Sequence, residues 1–64
     1  MDAKEIGRTI STHRKALGLT QMQLAAQLQV SNRTVSKWEN GSADPSTTNL
    51  LALAKLYGVA AVSY

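Results

Sequence analysis

Apolar residues recur at helical spacing in four stretches of the chain, each bounded by residues that start or stop a helix. The first stretch predicts a helix from about Ala3 to Leu17, with Ala3, Ile6, Ile10, His13 and Leu17 on its inner face. The second predicts Gln21 to Leu28, with Leu24, Ala25 and Leu28 inward. The third predicts Asn32 to Asn40, with Val35 and Trp38 inward, and the fourth Thr47 to Tyr57, with Leu50, Leu53, Ala54 and Tyr57 inward. Asp2, Thr20, Ser31 and Ser46 stand where side-chain oxygens satisfy the first free N–H groups of a helix. Glu5 and Gln23 follow Asp2 and Thr20 at the spacing of a capping box. Leu19 with Leu24, and Val30 with Val35, have the spacing of hydrophobic staples. Gly18, Gly41, Pro45 and Gly58 mark the stops. No segment alternates with period two, so no strand is expected. Val59 to Tyr64 is apolar but has no capping residue and is short for a helix. The pattern therefore predicts an all-α fold of four to five helices, with Trp38 and Leu24 buried against Ile10, Leu50 and Leu53.

Composition narrows the picture. The 64 residues suit one domain, spanning 1–64, near the lower size limit for folding without staples. Cysteine is absent, so disulfides and thiolate metal sites are excluded; His13 is the single histidine, so a histidine-based metal site is not expected, and neither is a cofactor. No apolar run approaches the ~18 residues of a membrane span, and the N-terminus lacks a signal-peptide pattern. A cytoplasmic chain is expected. There is no nucleophile–base set and no phosphate loop, and a bundle this small has little room for a pocket, so the chain is not read as an enzyme. The net charge of +3 is a modest basic excess, in keeping with a nucleic-acid partner.

Two short helices joined by Gln29, Val30 and the Ser31 cap have the outline of a helix-turn-helix. The third helix sharpens that reading. At about 100° per residue, Val35 and Trp38 lie on one side, while Asn32, Arg33, Ser36, Lys37 and Asn40 cover the other. That outer face has two cations, two amides and no acid. Asn pairs with adenine, and Arg or Lys with guanine, across the major groove.

From Ile6 to Val59 the chain resembles the Cro and lambda-repressor-like helix-turn-helix family. The likeness rests on Ile6-Gly7, Arg14-Lys15-Ala16-Leu17-Gly18-Leu19-Thr20-Gln21, Leu24-Ala25, Val30-Ser31, Val35-Ser36-Lys37-Trp38-Glu39-Asn40-Gly41, Pro45-Ser46, Asn49-Leu50-Leu51, Leu53-Ala54 and Gly58-Val59. The resemblance implies a DNA-binding domain that puts its third helix in the major groove of double-stranded DNA. It further implies a dimer on a pseudo-palindromic operator. Gln21 falls at the position that meets phosphate and base edge, and Asn32, Arg33, Ser36 and Lys37 at the base-reading positions. Arg14 and Glu39 match the pair that ties the first helix to the third, with Arg14 also a candidate phosphate contact. Asn40, Gly41 and Ser42 match the turn whose amides meet phosphate.

The chain departs from the family pattern in four places. Gln29 replaces a turn glycine, and is expected in the left-handed region. Ser42-Ala43-Asp44 replaces a basic loop, His13 replaces an aliphatic residue, and Ala60 replaces a capping Ser or Thr. His13 is expected to be a partly buried structural residue. Trp38 and Tyr57 are read as core, and Lys4, Arg8, Ser11 and Lys15 as a solvated stripe on the first helix. The leading reading is a small transcriptional regulator, a repressor. Its alternative is a protein-interaction module on the same fold, such as an antitoxin or an activator contacting polymerase. Val59 to Tyr64 is small and apolar, which suggests a weak homodimer strengthened on DNA.

Overall fold

The computed structural model describes residues Asp2 to Gly58. Four helices follow one another: α1 (Ala3–Ala16), α2 (Gln21–Leu28), α3 (Asn32–Asn40) and α4 (Thr47–Leu56). No strand occurs among the described residues. Val59 to Tyr64, the stretch in which a fifth helix was considered, lies outside them.

Each helix begins at its expected cap. The Asp2 carboxylate accepts from the Glu5 N–H at 2.8 Å, and Glu5 accepts in return from the Asp2 N–H. Thr20 and Gln23 make the same reciprocal pair at α2. Ser31 and Ser46 accept from the N–H groups of Thr34 and Asn49. Each bond satisfies a donor that the helix itself leaves free, and losing such a cap typically costs about 1 kcal/mol.

The core is Ile10, Leu24, Ala25, Val35, Trp38 and Leu53, one or two side chains from each helix. Leu24 and Val35 are fully enclosed. The staple residues Leu19 and Val30 pack against this cluster, as do Ile6, Leu28, Ala43, Leu56 and Tyr57. Trp38 is buried as the periodicity predicts.

Three expected core positions are exposed. Leu50 is 42% exposed, because α4 reaches the centre through Leu53 and leaves the preceding turn at the rim of a groove against α1. Leu17 is 50% exposed, since α1 ends at Ala16 and Leu17 caps it outside the helical face. His13 is exposed rather than partly buried. Its ring stacks on that of Tyr57, with centroids 5.1 Å apart, and its Nδ1 lies 2.9 Å from the Thr9 carbonyl. The His13 ring thus lies over the edge of the bundle, where a planar side chain covers Tyr57 without entering the core.

Two backbone features set how the helices meet. Gly7 is buried in the middle of α1, where α1 crosses the end of α3. A Cβ there would collide with the Trp38 carbonyl oxygen and come within 2.7 Å of the Glu39 carbonyl oxygen. The absent side chain lets the two backbones touch. Gln29 closes α2 in the left-handed region, at φ 60° and ψ 41°. Its conformation is the one expected from the resemblance, achieved without glycine.

Two stability measurements follow. Gln29→Gly relieves the β-carbon strain of a left-handed residue and raises the unfolding free energy by about 1 kcal/mol; a loss of stability in chemical denaturation would contradict the turn geometry. Gly7→Ala forces α1 away from α3 and lowers stability by about 2–3 kcal/mol, in the upper range for overpacking. An unchanged denaturation midpoint would show that the helices are not in backbone contact.

Candidate nucleic-acid interface

The turn between α2 and α3 is three residues long, and both helices are anchored by the same core. Val35 and Trp38 hold α3 from below. The opposite face is therefore turned to water by default: Asn32, Arg33, Lys37 and Asn40 are exposed, and Ser36 is half-buried. The sequence-predicted reading residues share one accessible surface. Thr34, between them, is occupied locally, with its hydroxyl 2.8 Å from that of Ser31.

Glu39, the acid of α3, faces away from that surface. Arg14 grips it with two parallel bonds, Nε to Oε2 at 2.6 Å and Nη2 to Oε1 at 3.0 Å. A planar guanidinium matches a carboxylate in this two-point geometry. The third arm of Arg14, Nη1, donates to the Leu19 carbonyl at 2.8 Å. One side chain thereby joins α1, the turn before α2, and α3. Gln21 completes the cluster by donating its Nε2 to Glu39 Oε1 at 3.0 Å. The expected tie between the first and third helices is present, and the link to Gln21 is an addition that residue spacing alone does not reveal.

The cluster shifts the acid–base balance of its members. Burial alone would push the Glu39 carboxyl up. The hydrogen bonds from Arg14 and Gln21, and the charge of Arg14, outweigh it and hold Glu39 below the usual carboxylate range. The bond to Glu39 raises Arg14 above its ordinary value, against a smaller effect of burial. Tyr57 lies beside this pair and donates its hydroxyl to the Ile10 carbonyl at 3.0 Å. Burial, helped by the charge of Glu39, pushes its phenol up to about 12.

The other candidates are placed as follows. Gln21, at the first position of α2, is half-buried, and its amide is already engaged with Glu39. Arg14 is 12% exposed, with its Nε and both terminal nitrogens on protein acceptors. Asn40 stays exposed, but its Oδ1 accepts from the Ser42 N–H at 2.9 Å. The amides of the following turn are also used internally. Gly41 N–H reaches the Trp38 carbonyl, and those of Ser42 and Ala43 reach the Lys37 carbonyl.

A helix-turn-helix family model matches residues 10–62. The chain belongs to the helix-turn-helix family. Within it, the likeness is to the Cro and lambda-repressor-like members, as the residue pattern implies. The domain is 45% identical over 51 residues to the HTH-type transcriptional regulator DicA of Escherichia coli (strain K12), covering 80% of this chain and 38% of that protein. It is 38% identical over 55 residues to the HTH-type transcriptional activator BcrR of Enterococcus faecalis, covering 86% of this chain and 27% of that protein. It is 35% identical over 54 residues to the HTH-type transcriptional regulator ImmR of Bacillus subtilis (strain 168), covering 84% and 42%. The domain thus spans less than half the length of each of these relatives. No helix among the described residues is long and apolar enough to cross a membrane.

The ion pair makes a measurable difference between two acids. Glu39→Ala strands the Arg14 guanidinium; since the pair lies at the rim of the core, partial solvation trims the usual cost of a broken buried pair to about 2 kcal/mol. Glu5→Ala, on the exposed first turn of α1, costs well under half of that. Equal effects in urea denaturation would show that Arg14 and Glu39 contribute no more than a surface pair. Acid provides a second check. With its folded-state value held below the ordinary 4.5, Glu39 stabilises the fold above pH ~4.5, and that contribution is lost as pH falls through the lowered value. Glu39→Gln should flatten the fall in thermal midpoint below pH ~4.5; an unaltered acid limb would contradict the assignment.

Proposed function

We propose that this domain reads a DNA sequence on behalf of a transcriptional regulator, laying α3 in the major groove. The observation that carries the reading is the acid-free outer face of α3. Asn32, Arg33 and Lys37 are solvent-exposed, Ser36 is half-exposed beside them, and Glu39 is withdrawn into the Arg14 pair. Arg33 and Lys37 suit guanine edges or phosphate, and Asn32 suits an adenine edge. Gln21, at the head of α2, reaches phosphate with the N–H that Glu39 leaves free, and Asn40 does the same with its amide nitrogen. Arg14 acts first as the strut of this surface, with any phosphate contact secondary to that role. The names of the relatives, all transcriptional regulators or activators, support the same reading.

We assign the domain to a cytoplasmic repressor that acts by occupying an operator, a role that needs no surface beyond the groove-binding one. One helix-turn-helix covers a half-site. A weak homodimer, strengthened on DNA, would place two α3 helices about 34–36 Å apart on one face of a pseudo-palindromic duplex. The apolar stretch Val59 to Tyr64, outside the described residues, is the proposed contact region. Leu50 and Leu51 are exposed apolar residues on α4. Sedimentation at micromolar concentration should show mainly monomer alone and two chains on a palindromic duplex; strictly one chain per duplex would overturn the paired model.

Base reading is tested by Arg33→Ala and Lys37→Ala. Each should relax preference at one base step, with about 1–3 kcal/mol of discrimination lost per side chain that reads a base. If both variants select the same duplexes as the parent with the same affinity, α3 is not the reading helix.

A further inference from the structure

The turn after α3 lies at the end of the proposed reading helix, yet it is poorly equipped to meet phosphate. Asn40 to Asp44 contains no lysine or arginine, and Asp44 adds a negative charge. Its N–H donors are committed as well. Gly41 N–H bonds to the Trp38 carbonyl at 3.2 Å, Ser42 N–H to the Lys37 carbonyl at 2.9 Å, and Ala43 N–H to the same carbonyl at 3.3 Å. The Asn40 side chain takes a further share of the Ser42 N–H.

The fold brings a cation to this turn from another helix. Gly7 seats α1 directly on the last carbonyls of α3, and one turn earlier on α1 is Lys4. A Cβ on Gly41 would lie 2.9 Å from Lys4 Cγ and 3.4 Å from Lys4 Cα. The stem of Lys4 therefore packs along the turn itself. Lysine commonly buries its aliphatic stem while keeping its ammonium in water, and Lys4 is exposed. The ion pair among the described residues is Arg14 with Glu39, and it does not involve Lys4.

We propose that Lys4 is a phosphate-binding residue of the DNA interface, supplying from α1 the positive charge that the turn after α3 lacks. The inference rests on the DNA-binding reading above and extends the interface to a third helix. It also gives the close approach at Gly7 a functional consequence, because a displaced α1 would carry Lys4 away from Gly41.

The test is the salt dependence of binding to a duplex selected by the parent domain, measured for the parent and for Lys4→Gln, Lys4→Arg and Lys55→Gln. Lys55, exposed in the last turn of α4, removes the same charge from a helix outside the proposed interface. Losing one phosphate contact should make the log–log slope shallower by about 0.9 per bound chain, or about eightfold weaker binding per chain at 0.1 M salt relative to a common 1 M limit. Lys4→Gln should show this loss without a change in the preferred sequence, since phosphate contacts carry no base information. Lys4→Arg should keep the parental slope, and so should Lys55→Gln. A parental slope for Lys4→Gln overturns the proposal, as does an equal loss in Lys55→Gln, which would reflect net charge alone. If the parent itself binds duplexes without salt dependence, the DNA-binding reading fails, and this proposal with it.

Discussion

The Arg14–Glu39 pair holds together the part of the molecule on which everything else depends. Among the described residues, the apolar cluster draws only one or two buried side chains from each helix, and apolar contact by itself is non-directional. Arg14 adds direction to that packing. Its two parallel bonds to Glu39 set the rotation of α3 relative to α1, and its bond to the Leu19 carbonyl sets the entry to α2. Gln21 then ties the first turn of α2 to the same carboxylate. Hydrophobic burial is indifferent to small rotations, whereas a bidentate guanidinium–carboxylate pair is not.

This arrangement explains how one short helix can be apolar on one side and cationic on the other without an acid spoiling the second. Nine residues make α3. Val35 and Trp38 are spent on the core, and Glu39 on the strut. Thr34 is tied to Ser31, and the remaining five, Asn32, Arg33, Ser36, Lys37 and Asn40, form a surface whose charge is uniformly positive or neutral. The price of assigning Glu39 to a partly buried position is the desolvation of a carboxylate, which Arg14 and Gln21 offset together. Structure and electrostatics are therefore set by the same bonds: the pair that orients α3 also removes its negative charge from the outer face.

Much of this was legible in the residue pattern. Helix starts were visible because side-chain caps are local, needing only Asp2, Thr20, Ser31 or Ser46 at the right distance from the next apolar residue. The limits of α2 and α3 agree with expectation to the residue. The core positions of α3 and α2 were visible for a similar reason, since short helices have one buried face. The long helix α1 and the terminal helix α4 were harder. His13, Leu17 and Leu50 satisfy the helical period but fall where the partner helix has ended or diverged, so periodicity places them inward and packing leaves them out. The bond from Gln21 to Glu39, the Tyr57 hydroxyl on the Ile10 carbonyl, and Lys4 against Gly41 join residues 18, 47 and 37 apart. Such contacts depend on helix crossing geometry. The visible hint was Gly7, a glycine within a helix, where it costs about 1 kcal/mol relative to alanine unless close approach requires it.

Base reading by the outer face of α3 is the central claim, and selection of bound duplexes from a random pool tests it most directly. Repeated rounds of binding by the domain at about 0.1 M salt should enrich a recurrent short motif; paired copies should be related by two-fold symmetry and centred one helical turn, about 10 base pairs, apart. A bound pool no richer in any motif than the starting pool would contradict the account, because a face that met only phosphate would retain duplexes without regard to sequence.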